Sequence, residues 1–199
     1  MHIIGITGGV GAGKSELLSY MEKTYQARIL QADEAAKLLM EPDTDCMKKL
    51  RRILPAEVFL ADGSLDRPAL SRLFFSRENL REQVNGIVHP AVKEYIREEI
   101  QKQEAQGETN WFVIEAALLI EEHYEEICEE LWYVYASEQT RAKRLAESRG
   151  YTKERIRAMF QSQLPEEDYR TACDVTIHND GDLTQAKREI DEAISRFLS

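Results

Sequence analysis

Cysteine is scarce in this sequence, and its few copies are scattered. Cys46, Cys128 and Cys173 are the only three among 199 residues, and none of them belongs to a CxxC pair or a Cys/His cluster. An odd number of isolated cysteines predicts neither a disulfide framework nor a zinc site. A reducing compartment suits such a chain, in which each cysteine is typical of a small core or boundary residue.

Excess positive charge and long apolar runs are also lacking. The 36 acidic residues outnumber the 26 lysines and arginines, which leaves a net charge of −10. A broad nucleic-acid-binding surface is therefore not expected, although a locally basic cleft for an anion stays compatible with this charge. No apolar stretch reaches membrane-spanning length, and no segment has the pattern of a signal peptide. We expect a cytoplasmic protein without membrane or nucleic-acid partners, either a monomer or a weak homo-oligomer.

One motif points to chemistry by itself. Gly8 to Ser15 reads GGVGAGKS, the P-loop pattern. Glycines let backbone N–H groups approach phosphate oxygens closely, the Lys14 ammonium can reach the β- and γ-phosphates, and the Ser15 hydroxyl can ligate Mg²⁺. An apolar run precedes the motif at 2–7 and helical spacing follows it at 17–25, which is the order that anion binding at a helix N-terminus requires. The alternative is a glycine-rich turn that binds nothing.

Short apolar strands alternate with amphipathic helices through most of the chain. This alternation predicts an α/β fold of three layers, with a parallel sheet covered on both faces. The stretch 60–105 interrupts this alternation. Its pattern is nearly continuously helical over 69–105, and we expect His89-Pro90 to break that helix. Besides the first strand, strands are predicted at 27–31, 111–114, 131–135 and 174–177.

Ligands of parallel sheets bind at the carboxyl ends of the strands, and four groups of suitable chemistry are predicted there. They are the Gly8–Ser15 loop, Asp33, Glu115 and the turn at Asn179. Asp33 could accept or orient the proton of a substrate hydroxyl, or it could cap the following helix. Glu115 could hold Mg²⁺ directly or through water, or it could be a solvated strand end.

P-loops occur in GTPases, ATPase motors and small-molecule kinases, and the rest of the sequence favours the kinases. The Asn-Lys-x-Asp and Asp-x-x-Gly patterns of a GTPase do not occur. A kinase also needs mobile arginines that cover the phosphates. Arg141, Arg144, Arg149 and Arg155 flank a helix junction near Gly150 and suit such a lid, with Arg144 as the preferred functional residue; alternatively, they form ion pairs on a solvated helix face.

These motifs together resemble those of the dephospho-coenzyme A kinases over nearly the whole chain. The most specific elements are Asp62-Gly-Ser-Leu-Asp-Arg67 and Ile87-Val-His-Pro90, which separate that family from other P-loop kinases. The other matching elements are Ile6–Ser15, Ala32-Asp33, Leu118-Leu119 with Glu121, Arg144-Leu145, Gln163-Leu-Pro165, and Asp174 with Ile177, Asn179 and Gly181.

The resemblance implies a P-loop kinase fold that includes a helical acceptor-binding insertion and a helical lid. It also implies Mg²⁺-dependent transfer of the γ-phosphate of ATP to the ribose 3′-hydroxyl of dephospho-coenzyme A, the last step of coenzyme A synthesis. The chain would be a single domain over 1–199. Within it, the nucleotide-binding core would occupy about 1–40, 108–136 and 172–199, the acceptor segment about 60–105 and the lid about 138–170.

Residue roles follow from the resemblance together with the arguments above. His89 is either a polar group of the acceptor site or a helix-capping residue before Pro90. ATP binding is expected from Gly8, Gly9, Val10, Gly11, Ala12, Gly13, Lys14, Ser15, Glu16, Arg144, Asn179 and Gly181, catalysis from Lys14, Asp33 and Arg144, acceptor binding from Asp33, Arg67, His89 and Leu118, and metal binding from Ser15 and Glu115.

Several positions depart from the family pattern and make the chain a divergent member. Glu16, Gln31, Ala117, Ser148 and Tyr169 stand where the family usually has Thr, Asp, Pro, Arg and Lys. Two alternatives therefore stay open: a kinase for another nucleoside-like small molecule, and a nucleotide-binding regulator with little catalysis.

Overall fold

The computed structural model describes residues 1–198 apart from the side chain of Glu78, and five strands form one sheet. The strands are β1 (His2–Thr7), β2 (Arg28–Gln31), β3 (Trp111–Glu115), β4 (Glu130–Tyr135) and β5 (Val175–His178). Their order across the sheet is β2-β3-β1-β4-β5. β1 pairs in parallel with both β3 and β4, and β4 pairs in parallel with β5. The predicted parallel α/β fold is confirmed.

Helices connect the strands, and several begin at a residue whose side chain accepts a backbone N–H. Ser137 accepts from Thr140 in this way, and Thr152 accepts from Arg155. No helix within residues 1–198 is both long and apolar enough to cross a membrane. The helices are α1 (Lys14–Tyr25), α2 (Ala32–Leu39), α3 (Asp45–Leu50), α4 (Arg67–Ser76), α5 (Glu78–Gln106), α6 (Glu138–Arg149), α7 (Lys153–Gln161), α8 (Glu166–Ala172) and α9 (Leu183–Ser195).

The chain divides into two compact units, and the boundary between them falls inside β2. The first unit comprises Met1–Ile29 and Gly107–Ser199. Its core combines one face of the sheet with α1 and α9, which supply the apolar residues that their helical spacing predicts. Ile4, Ile6 and Trp132 from the strands and Leu17 and Met21 from α1 are at most 1% exposed.

The second unit comprises Leu30–Gln106 and is mainly helical. α2 and α3 pack against α5, around buried residues such as Met47 and Ile96. The Asp62–Arg67 motif forms a turn and a helix start here. Asp62 Oδ1 accepts a hydrogen bond from the backbone N–H of Ser64 over 2.9 Å, and Asp66 caps α4.

The expected helix break at His89-Pro90 is wrong, because α5 continues through Pro90. Proline lacks the N–H that a helix uses, and its ring crowds the carbonyl four residues earlier, which here belongs to Gly86. Val88 and Val92 are buried on either side of Pro90, so packing supports the helix across the local defect.

Gly86 lies within α5, and Gly107 directly follows its last residue. Substitutions at these two glycines test how backbone conformation affects the stability of the protein. A Cβ atom on Gly86 or on Gly107 would meet no atom within 4 Å, but only Gly107 has a positive φ, of 65°. Gly86→Ala should stabilise the protein by about 1 kcal/mol, because alanine is the better helix former. Gly107→Ala should destabilise it by about 1 kcal/mol, because the left-handed conformation that ends α5 is strained for alanine. Urea unfolding followed by circular dichroism measures both changes, and equal signs would contradict the prediction.

Candidate active site

The phosphate-binding motif lies between β1 and α1, as the sequence predicts. α1 begins at Lys14, and Gly8 and Gly13 have positive φ values of 146° and 88°. A Cβ atom on Gly13 would collide with Asn179 Nδ2, and one on Gly8 would collide with the carbonyl oxygen of Val134. Both positions therefore require glycine, for backbone and packing reasons together. This geometry brings a bare backbone segment to the N-terminus of α1, as an anion site needs.

The carbonyl oxygen of Ala12 ties this loop to two distant segments. Asn179 Nδ2 donates to it over 2.7 Å, and Arg144 Nη1 donates to it over 3.2 Å. Arg144 Nη2 also donates to the carbonyl oxygen of Asn179 over 2.8 Å. Ala12 and Asn179 are 1% and 2% exposed, so these bonds are shielded from water. The loop, α6 and the turn after β5 are thus held together by hydrogen bonds that are costly to break.

Lys14 lies between the loop and the end of β3. Its Nζ donates to the carbonyl oxygen of Gly8 over 2.7 Å and lies 3.4 Å from Glu115 Oε1. The side chains of Lys14 and Glu115 are only 14% and 15% exposed. The structure therefore brings Glu115 to the P-loop, as predicted from its place at the carboxyl end of a strand.

A second arginine of α6, Arg141, lies against the P-loop. A Cβ atom on Gly9 would overlap Arg141 Nη1 and would lie 2.7 Å from its Cζ. Arg141 Nη1 donates to Gln163 Oε1 over 3.0 Å, and Cζ lies 4.2 Å from the ring centre of Phe160. Arg141 and Arg144 share one face of α6 because they are three residues apart. Gln163 and Phe160 were not predicted to lie near the P-loop. The helical spacing of the two arginines was the one sequence signal that placed Arg141 beside Arg144.

The other arginines of the predicted lid have different surroundings. Arg149 is the exposed last residue of α6, and Arg155 Cζ lies 3.8 Å from the ring centre of Tyr151. Ser148, where the resemblance leads us to expect an arginine, donates from Oγ to the carbonyl oxygen of Arg144 over 2.6 Å. Of the four candidates, Arg141 and Arg144 are the two that the structure brings to the loop.

The turn after β5 is also bonded to the start of α6. Asp180 Oδ1 accepts from the hydroxyl of Ser137 over 2.7 Å and from its backbone N–H over 2.8 Å. These bonds, led by that of the hydroxyl, hold the pKa of the Asp180 carboxyl below its usual value. Gly181 is exposed, and a Cβ atom on it would meet no atom within 4 Å, so crowding does not explain this glycine.

Tyr169, where the resemblance leads us to expect a lysine, is a packing residue. Its ring stacks on that of Tyr133, with centroids 4.8 Å apart and an interplanar angle of 6°. Both residues are buried. Burial raises the pKa of Tyr133 to about 12 and also raises the pKa of Tyr169. The pair is therefore neutral at physiological pH and adds no negative charge to the neighbourhood of Arg141.

The remaining predicted residues divide between the two units. In the second unit, Asp33 is the exposed second residue of α2 and Arg67 is the exposed first residue of α4. The N-cap of α2 is Gln31, so the capping alternative for Asp33 is wrong. It is also wrong for His89, which is partly buried inside α5. In the first unit, Leu118 is 44% exposed.

The site of the first unit is cationic in a chain whose net charge is −10. Lys14, Arg141 and Arg144 surround a loop of glycines at a helix N-terminus. Ammonium, guanidinium and backbone N–H groups are all donors, so this arrangement suits a ligand with several negative oxygens, such as a polyphosphate.

Comparison with known proteins agrees with this chemistry. The family model for dephospho-CoA kinase matches residues 2–185. A curated dephospho-CoA kinase from Listeria monocytogenes serovar 1/2a is 33% identical over 195 residues, which are 98% of this chain and 96% of that one. The crystal structure of TT1252 from Thermus thermophilus is 29% identical, with a TM-score of 0.82 over 98% of this chain and 97% of that one.

A dephospho-CoA kinase from Campylobacter jejuni shares the fold. Its TM-score is 0.70 at 20% identity, over 98% of this chain and 96% of that one. The match to the family model and the identity to the Listeria protein both extend over nearly the full length. This chain therefore belongs to the dephospho-CoA kinase family.

Proposed function

We propose that this protein transfers the γ-phosphate of ATP to the ribose 3′-hydroxyl of dephospho-coenzyme A. The observation that carries the proposal is the P-loop bound to Arg144 and Asn179 through Ala12, in a chain that matches the family model over residues 2–185. Phosphoryl transfer needs mainly positioning and charge stabilisation, which this kind of site supplies.

The P-loop would bind the phosphates of ATP, with backbone N–H groups around Gly9 and Gly11 as donors. Lys14 would offset the negative charge on the transferred phosphoryl group. Its Nζ already lies within hydrogen-bond distance of the loop, at 2.7 Å from the carbonyl oxygen of Gly8. This position supports a role for Lys14 at the β- and γ-phosphates, which the lysine of a P-loop reaches.

The residues present fit a Mg²⁺ ion held largely by substrate oxygens. Ser15 lies in the first turn of α1, and Glu115 reaches Lys14 from the end of β3. Within residues 1–198, no three His, Cys, Asp or Glu side chains form a group that could hold a metal ion. Magnesium at kinase sites usually has only one or two protein carboxylates, so Ser15 and Glu115 would suffice, with Glu115 binding directly or through water. Bound Mg²⁺ would neutralise charge on the β- and γ-phosphates.

Asp33 would orient the 3′-hydroxyl and accept its proton. Its exposed carboxyl lies in the first turn of α2, directly after β2. Arg67 and His89 of the second unit and the exposed Leu118 of the first would contact the acceptor. The segment at about 60–105 would thus bind dephospho-coenzyme A, and the nucleotide-binding core would occupy about 1–40, 108–136 and 172–199.

The helices at about 138–170 would act as a lid that excludes water. Without such exclusion, the γ-phosphate of ATP would be lost to hydrolysis instead of reaching the acceptor. Arg144 supports this assignment because its guanidinium joins α6 to both the P-loop and the turn at Asn179.

The direct test is the formation of coenzyme A. Purified protein incubated with Mg²⁺, ATP and dephospho-coenzyme A should yield coenzyme A and ADP, detected by mass spectrometry. Transfer to a different nucleoside or sugar, with no coenzyme A formed, would refute the substrate assignment. Tight ATP binding without transfer to any acceptor would instead favour a regulator.

A substitution at Asp33 tests the proposed base. Asp33→Asn should leave ATP affinity unchanged and lower kcat by about 100-fold or more, because a positioned general base contributes on that scale. Glu34→Gln is the matched control, since Glu34 is the neighbouring exposed acid on α2 and pairs with Lys37. Steady-state kinetics and calorimetric ATP titration give the two readings. Normal turnover of Asp33→Asn would exclude this residue as the base.

Glu115→Gln tests the metal role. The amide keeps the shape of the side chain but loses its charge, so half-saturation by Mg²⁺ should require about tenfold more metal. Magnesium titrations of kcat at saturating ATP measure this shift. Glu126→Gln, at an exposed acid of the same connection, serves as control. An unchanged magnesium requirement in Glu115→Gln would restrict Glu115 to its contact with Lys14.

A further inference from the structure

Arg141 carries more hydrogen-bond donors than its surroundings satisfy. A guanidinium has five N–H donors. Nη1 bonds Gln163, but Nε is buried and has no hydrogen-bond partner in the described part of the chain. No carboxylate in the described part of the chain forms an ion pair with Arg141. A partly buried cation in this state is unfavourable until an anion joins it.

The position of the guanidinium indicates which anion it would meet. The three atoms nearest to a Cβ built on Gly9 are Nη1 and Cζ of Arg141 and Oε1 of Gln163. Gly9 does not have a positive φ, so its backbone would accept a side chain. The guanidinium of Arg141 occupies the space that a side chain at position 9 would need. It therefore lies directly against the phosphate-binding loop.

Arg144 differs from Arg141 in how its donors are used. Arg144 donates to the backbone carbonyls of Ala12 and Asn179, which makes it a tether of the loop. The serine at 148 carries no charge, and its hydroxyl bonds the carbonyl oxygen of Arg144. Of these two arginines of α6, Arg141 is thus the one whose guanidinium lies over Gly9 of the loop. It has no charged partner in the described part of the chain.

We propose that Arg141 binds a phosphate of the nucleotide. Gln163 is its positioning residue, because its Oε1 holds Nη1 at 3.0 Å, and Phe160 supports the guanidinium plane from 4.2 Å. The proposal rests on the proposed function in that the ligand is the triphosphate of ATP. It adds a phosphate contact and its support to that site.

Arg141→Met tests the charge, because methionine keeps an unbranched apolar stem for Phe160 and removes the guanidinium. The dissociation constant for ATP should rise by about 10- to 100-fold, the range for losing a charge-assisted hydrogen bond. The affinity for dephospho-coenzyme A should not change. Arg155→Met is the matched control, since Arg155 lies over Tyr151. Isothermal titration calorimetry with each ligand alone measures these affinities, and thermal unfolding shows whether the variants are folded.

Unchanged ATP affinity in folded Arg141→Met would overturn the proposal. So would a loss confined to dephospho-coenzyme A, whose diphosphate is the other anion available. The binding measurement needs no turnover. If the wild-type protein makes no coenzyme A, the proposed function fails while this test of Arg141 still gives an answer.

Gly9→Ala removes the guanidinium from the loop while keeping the arginine. The new methyl group needs the space of Nη1, so ATP affinity should fall as it does in Arg141→Met. Gln163→Leu should lower it as well, because Nη1 loses its acceptor. In the Arg141→Met background, neither substitution should lower ATP affinity much further, since all three act through one group. Fully additive losses would overturn the placement of Arg141 over Gly9 and the positioning role of Gln163.

Discussion

The carbonyl oxygen of Ala12 accepts hydrogen bonds from Asn179 and Arg144, and the nucleotide site depends on this pair of bonds. The two donors are 167 and 132 residues away along the chain. A backbone carbonyl has two lone pairs, so the two donors fill its capacity. Because Ala12 comes two residues before Lys14, the same bonds hold the start of α1. Lys14, the turn after β5 and helix α6 are thereby linked through one backbone atom.

Different side chains hold the P-loop in place and bring positive charge to it. Asn179 and Arg144 bond the backbone, whereas Lys14 and Arg141 present ammonium and guanidinium groups at the loop. Departures from the family pattern become understandable on the same terms. Tyr169, where the resemblance leads us to expect a lysine, packs α8 onto β4 through a neutral stack with Tyr133. Tyr169 and Ser148 carry no charge, and the P-loop has two arginines of α6 as neighbours.

A motif can be characteristic of a family because of the local structure that its side chains stabilise, as two motifs of the second unit illustrate. The Asp62–Arg67 segment identifies the family well, yet Asp62 and Asp66 bond local backbone in a turn and a helix cap. His89-Pro90 is equally distinctive and lies within an unbroken helix. Turn and cap residues are demanding because each needs a particular side chain for a particular backbone N–H. Part of what makes such motifs distinctive is therefore local structure, alongside the acceptor contacts proposed for Arg67 and His89.

The sequence alone determined the parallel α/β fold, the P-loop, and the place of Glu115 at the end of β3, because strand and helix periodicity and glycine spacing are local properties. It also predicted that Arg144 belongs to the site. Only the tertiary structure decided that α5 passes through Pro90, since buried valines on both sides outweigh the local defect. Only the tertiary structure brought Gln163 and Phe160 to Arg141 and Ala12 to Asn179. These contacts join residues far apart in the chain, and no periodicity of the sequence encodes which distant side chain will fill the space above a glycine.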